Sequence, residues 1–386
     1  MPSISRKTEQ LKESSTLAFT ARARELREAG TDVVAMTAGE PDFQPPAHVL
    51  AAAQEAIALG LTKYTATEGT VELRDAISAK FRRENGLDYG RGQLVVSTGG
   101  KQVLYNGFAA VLEPGDEVII PEPFWVSYPA QVEMLGGTCV YLPSEAENGF
   151  IPDPEQLESL ITPRTKVIVL NSPSNPTGAV YPREVVERFA EIAAEHDVWL
   201  FSDELYEHIV YEGEFTNPAR TAPEHTLVIH GASKGYALTG WRIGWGAGPE
   251  KLISQMVKIQ GQVTSGANAI AQHAAVAALS MPEETAAFQA ETLAAYRARR
   301  DTLVAGLNAL GLHTPNPQGA FYTMTDTTAI AEDDYDAAMR LLNEAHVAVV
   351  PGGDFHAPGR VRLSYATSLE RVEEGLRRIG ALLGDN

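Results

Sequence analysis

Cysteine is almost missing from this chain of 386 residues. The single Cys139 excludes an intrachain disulfide, and its place in an apolar run marks it as packing rather than a reactive thiol. Long hydrophobic runs are missing too. None approaches the roughly 18 residues that a membrane-crossing helix needs. The opening MPSISRKTEQLKESS lacks the apolar core of a signal peptide, so the cytoplasm is the expected compartment. Positive charge is scarce: 31 Lys and Arg against 50 Asp and Glu give a formal net charge of −19. That balance argues against a nucleic-acid partner, which needs a basic surface, and against an anionic membrane. The nine histidines show no ligand-like spacing, so no metal site is expected. Internal repeats and low-complexity tracts are also absent.

What is present is enough chain for two cores, at about 100–200 residues per domain. Residues 16–29, 46–59 and 70–85 have helical spacing, and TAGEPDFQP (37–45) between them is a loop of breakers. Short apolar runs follow at 94–98, 116–121, 138–143, 166–171, 198–203 and 226–231, with helical stretches between several of them. This alternation predicts a parallel sheet covered on both faces. After Gly248 the pattern changes to two long helices, 249–280 and 283–310. Strand-like runs at 319–324, 346–352 and 360–366 then alternate with helices near 333–345 and 369–383. These predict a second, α+β domain. The expected division is 46–290 for the large domain, and 1–45 with 291–386 for the small one.

Ligands of open α/β sheets bind beyond the carboxyl ends of the strands. Several polar residues fall there: Gly99, Gly100 and Lys101 after one strand, Asn171 to Gly178 (NSPSNPTG) after another, Asp203 and Tyr206 at a third, Ser233 and Lys234 after a fourth. Each alone has an ordinary reading as a turn, a cap or a solvated charge. Their joint placement at one edge points to a site.

GASKGYALTGWRIG (231–244), VWLFSDELYEHIVYEG (198–213), NSPSNPTG and VRLSYAT (361–367) together resemble the class I aminotransferases of pyridoxal-phosphate fold type I. Within them the chain is most similar to the bacterial aspartate aminotransferases of the subgroup that includes prephenate aminotransferases. TAGEPDF (37–43), GGKQ (99–102), PFWVSYP (123–129) and VVPG (349–352) fit the same pattern, so the likeness spans nearly the whole chain. It implies a mostly parallel, seven-stranded α/β sheet with a smaller α+β domain, pyridoxal 5'-phosphate as cofactor, and a homodimer with shared active sites. Amino acids and 2-oxo acids are the implied substrates: aspartate or glutamate, with 2-oxoglutarate, oxaloacetate or prephenate as acceptor.

The resemblance also assigns roles. Lys234 would bind the cofactor as an imine, and its freed amine would carry the proton. Asp203 would keep the pyridine nitrogen protonated, so that the ring acts as an electron sink. Tyr206 and Asn175 would contact the phenolic oxygen, and Trp125 would stack on the ring. The phosphate would sit on the Gly99-Gly100-Lys101 backbone with Ser233, Arg242 and, from the other subunit, Tyr64. Arg362 and the Gly39 N–H would take the substrate's α-carboxylate. Gly231 stands where many relatives have serine, which removes one phosphate contact. A distal carboxylate needs a cation, yet 254–269 holds no arginine; Lys101 with Lys12 and Thr16 match the positions that stand in for it. Two rivals share Lys234, Asp203 and Arg362: an aromatic or alanine-type aminotransferase, and a carbon–sulfur lyase of the same fold. A non-enzymatic, cofactor-sensing regulator would need a DNA-binding module, for which the chain has no spare domain.

Overall fold

The computed structural model describes residues 3–5, 9 and 15–384. Its strands, in chain order, are β1 (Val34–Ala35), β2 (Leu94–Ser97), β3 (Glu117–Pro121), β4 (Thr138–Leu142), β5 (Thr165–Asn171), β6 (Trp199–Asp203), β7 (Thr226–Gly231) and β8 (Gly244–Ala247). They continue with β9 (Tyr322–Asp326), β10 (Val347–Ala348), β11 (Val350–Pro351) and β12 (Arg360–Ser364). Strands β2 to β8 form one seven-stranded sheet in the order β2-β8-β7-β6-β5-β3-β4. The pairs from β7 to β4 are parallel, while β8 runs antiparallel to both β2 and β7.

Helices cover both faces of this sheet, so its central strands β3, β5 and β7 are buried on two sides and rich in Val, Ile and Leu. Every residue of β2, β3 and β7 is buried. A separate antiparallel sheet, β11-β12-β9, belongs to the C-terminal part, and the parallel pair β1-β10 joins the N-terminal segment to it. Phe19 and Ala23 of the helix Ser15–Glu28, with Val34 and Met36, pack in one buried cluster with Leu303, Leu307, Val372 and Ile379. The N-terminal segment therefore shares its core with the C-terminal part.

Three local expectations are corrected. The run 249–280 is two helices, Glu250–Val263 and Ala269–Ser280. Ser265 between them has φ 62°, which a helix does not allow, and the Asn268 side chain caps the second helix at the Ala271 N–H. The run 346–352 splits into β10 and β11, which join different sheets. Strand β8, GWGA, was not foreseen.

Candidate active site

Adjacent parallel strands β5 and β6 end level, with Asn171 paired to Asp203. The Asn171 amide donates to the Asp203 carbonyl (3.0 Å), and its Oδ1 accepts from the Asn175 N–H (2.9 Å). This hangs the loop bearing Asn175 on the strand ends. Beyond them lies a cavity of ≈ 280 Å³ lined by, among others, Gly39, Lys101, Trp125, Asn175, Asp203, Tyr206, Lys234 and Arg362. Thr16 also reaches this wall. Lys12 lies outside the described residues.

Burial displaces several ionisable groups on this wall toward neutrality: Lys101 and Arg362, and by a large margin Asp203 and Lys234. Asp203 is buried, and burial pushes its carboxyl up to about 6. The Tyr128 hydroxyl donating to Oδ2 (2.7 Å), the Leu205 N–H and the charge of Lys234 oppose that rise. Desolvation pushes the Lys234 ammonium down to about 8; Glu40 opposes this, while Arg242 and Arg362 add to it. Its Nζ donates to the Gly39 carbonyl at 2.5 Å. An amine that loses its proton near neutral pH is a competent nucleophile and proton carrier.

Arg362, 2% exposed, has no carboxylate partner among the described residues. Nη1 donates to Asn175 Oδ1 (3.0 Å) and Nη2 to the Thr37 carbonyl (2.8 Å), while Nε has no partner there. The guanidinium lies over the rings of Tyr322 (4.6 Å) and Phe355 (4.9 Å). A buried guanidinium held only by neutral groups calls for an incoming anion.

A glycine loop opens the helix Gly100–Val111. Gly99 has φ 85°, and a Cβ there would lie 2.6 Å from Arg242 Nη2. Glycine thus lets the backbone N–H groups and the Arg242 fork face one spot. A Cβ on Gly244 would meet the Gly100 nitrogen at 2.4 Å, so β8 must be glycine-rich to pass behind this loop. Gly231 is explained likewise: its Cβ would lie 2.9 Å from Gly244 Cα, leaving no room for serine with this backbone. Ser233 is buried beside Lys234. Lys101, the second residue of the helix, holds its Nζ 4.8 Å over the Trp125 ring. These groups fit pyridoxal phosphate: an amine and a buried carboxylate line the cavity, and the glycine loop adjoins it through Lys101.

Tyr64 is not on this wall. It is 96% exposed and lines a different cleft of ≈ 760 Å³ with Thr98, the neighbour of Gly99, and residues 264–270. Two wall residues were missed as individuals: Tyr128, quoted only within PFWVSYP, and Tyr322, whose hydroxyl is 2.9 Å from that of Tyr206. Aromatics in apolar runs read as core, and nothing in the sequence marks their hydroxyls. Away from the cavity wall the fold also gathers Glu207, His208 and His230, which sequence spacing could not show. The Lys80 ammonium donates to Glu207, so that carboxylate already has a cation.

The geometry agrees with the comparisons. The family model described as aminotransferase class I and II matches residues 31–379. The aspartate/prephenate aminotransferase of Thermus thermophilus is 53% identical, covering 100% of both chains. That of Cereibacter sphaeroides is 49% identical over 96% of each. The solved structure of the Thermus thermophilus aspartate aminotransferase with maleate superposes with a TM-score of 0.97 at 53% identity, covering 99% of this chain and 100% of that one. The aspartate aminotransferase from Rhizobium meliloti superposes at 0.94 with 43% identity, covering 100% and 99%. With the seven-stranded sheet of fold type I, and likeness along its whole length, the chain belongs to the aminotransferase class I and II family.

Proposed function

We propose that this protein transfers the amino group of aspartate or glutamate to a 2-oxo acid, prephenate included, using pyridoxal 5'-phosphate. The observation that carries this is the meeting of the depressed Lys234 amine and the unpaired Arg362 guanidinium on one cavity wall. The relatives named for aspartate and prephenate support the substrate choice.

When bound, the cofactor supplies an electron sink for the charge left at the substrate's α-carbon. The chain does the rest. Lys234 Nζ holds the cofactor covalently and, once displaced, moves the α-proton. Asp203 keeps a proton on the ring nitrogen, with Tyr128 fixing the carboxylate. Tyr206 and Asn175 face the phenolic oxygen, and Trp125 covers the ring. Arg362 and the Gly39 N–H orient the α-carboxylate. The phosphate is held by the Gly99-Gly100-Lys101 backbone, Ser233 and Arg242, with Tyr64 reaching in from a second copy of the chain in a homodimer. Lys101, Thr16 and Lys12 meet the distal carboxylate. The exposed ring of Tyr64 and its cleft suit such a shared site. The division into 46–290 and 1–45 with 291–386 is part of the same reading, supported by the core that the N-terminal segment shares with the C-terminal part.

The test is a panel of amino donors and 2-oxo acceptors, prephenate among them, together with borohydride reduction of the loaded protein. Transfer from aspartate and a pyridoxyl group on Lys234 are expected. A label on another lysine, or no transfer from any dicarboxylic donor, overturns the assignment.

A further inference from the structure

Tyr322 takes no part in the assignments above, yet it touches three of the elements they use. It opens β9, pairs with Ser364 of β12, and so lies diagonally across the antiparallel ladder from Arg362, which pairs with Met324. Diagonal neighbours share a face and are within reach of an aromatic ring. The Tyr322 ring accordingly lies under the guanidinium at 4.6 Å. Its hydroxyl is 2.9 Å from the Tyr206 hydroxyl, its one hydrogen-bond partner among the described residues. The same oxygen abuts the backbone at Gly39, where an added Cβ would come within 2.3 Å of it. The residue is 1% exposed, so these contacts are held in place.

We infer that Tyr322 is a positioning residue for both halves of the site: its hydroxyl donates to Tyr206, and its ring seats the guanidinium of Arg362. The direction of the hydrogen bond follows from proton supply. Two hydroxyls share one bond and one proton serves it. If Tyr206 gives its own proton to the cofactor's phenolic oxygen, the proton between the tyrosines must come from Tyr322. A hydroxyl that accepts one hydrogen bond is polarised into a stronger donor. Tyr322 thereby strengthens the bond from Tyr206 to the phenolic oxygen, and that bond favours the form left when the cofactor's link to Lys234 gives up its proton. The ring acts on the other half, because a desolvated guanidinium over an aromatic face is held electrostatically without a carboxylate that would compete with substrate. This inference rests on the pyridoxal-phosphate reading of the cavity.

The test uses the loaded protein and two variants, Tyr322→Phe and Tyr322→Leu. A spectrophotometric titration reads the pH midpoint of the bound cofactor's absorbance change, and steady-state kinetics separates KM from kcat. Tyr322→Phe keeps the ring and removes the hydroxyl, so the midpoint should rise by about half a pH unit, with KM for the amino donor within about twofold. Tyr322→Leu should show the same rise and a KM about tenfold above that of Tyr322→Phe. A midpoint unmoved in Tyr322→Phe overturns the hydroxyl's role, and equal KM values in the two variants overturn the ring's. A merely structural residue would lower melting temperature without moving the midpoint. If the unaltered protein develops no pH-dependent band with pyridoxal phosphate, the reading of the cavity falls and this inference with it. A band that stays fixed in Tyr322→Phe overturns the inference alone.

Discussion

Asp203→Asn should make the cofactor-free protein more stable and the loaded enzyme far slower. Burial raises the Asp203 carboxyl from 3.8 to about 6. Between those values the folded chain binds more protons than the unfolded one, so stability falls as pH rises through this window and the loss is complete above about 6. A shift of about two units at 1.36 kcal/mol each corresponds to about 3 kcal/mol of destabilisation at neutral pH. Asparagine removes the charge, keeps the volume, and still accepts from the Tyr128 hydroxyl that bonds Oδ2 at 2.7 Å. Unfolding entropy near 2.1 cal/mol/K per residue makes about 0.8 kcal/mol/K for a chain of this length, so the melting temperature should rise by about 4 °C. Circular dichroism melts of the cofactor-free protein at pH 8 and pH 4 provide the measurement. The variant should lead at pH 8, and the gap should close toward pH 4. Turnover of the loaded variant should drop by about 10²–10³-fold, the scale for removing one preorganised electrostatic contact, and Asp203→Glu should retain more activity than Asn. A variant that melts lower at pH 8, or a gap that ignores pH, would refute the claim that Asp203 is a destabilising buried charge kept for the cofactor.

Lys101→Met should lower kcat/KM for aspartate by about 10–100-fold, since one charge-assisted contact is worth roughly 1.5–3 kcal/mol. An aromatic donor should be much less affected, and a uniform loss across donors would place the damage in cofactor binding instead. Mixing the inactive variants Lys234→Ala and Tyr64→Ala should restore activity in hybrid dimers. No recovery after verified subunit exchange would count against a site shared between subunits.

The parts of the fold legible in the sequence are those where one physical cause dominates. Strands β3, β5 and β7 are buried on both faces, and their unbroken Val, Ile and Leu say so directly. Strand β8 is equally buried, but its composition answers a different demand. Gly244 must let the Gly99-Gly100 backbone come close, so the strand reads as a turn. The break at 264–268 hides for a related reason: apolar spacing continues on both sides, and only Thr-Ser-Gly and the Asn268 cap betray it. In the site, charged and breaker residues at strand ends were visible because burying them needs a reason. Tyr128 and Tyr322 were not, because an aromatic ring fits the core whether or not its hydroxyl has work there.

Lys234 and Asp203 show how function sets a limit on stability here. Each is moved toward its neutral form by burial, at a cost of about 3 kcal/mol apiece at 1.36 kcal/mol per pKa unit. Pairing them directly would remove much of that cost. Instead the Lys234 amine donates to the Gly39 carbonyl and the Asp203 carboxylate accepts from the Tyr128 hydroxyl, both neutral partners. Arg362 follows the same rule, held by the carbonyl oxygens of Asn175 and Thr37 and by aromatic rings rather than by a carboxylate. Elsewhere the buried Lys80 donates to the buried Glu207, and Arg299 pairs with the more exposed Asp42 at 2.8 Å, whereas the buried Glu204 carboxylate accepts from the neutral side chains of Ser202 and Asn217. On the proposed reading, Lys234, Asp203 and Arg362 have neutral partners among the described residues because their ionic or covalent partners arrive from outside the protein: an aldehyde for the amine, a ring nitrogen for the carboxylate, and a carboxylate for the guanidinium.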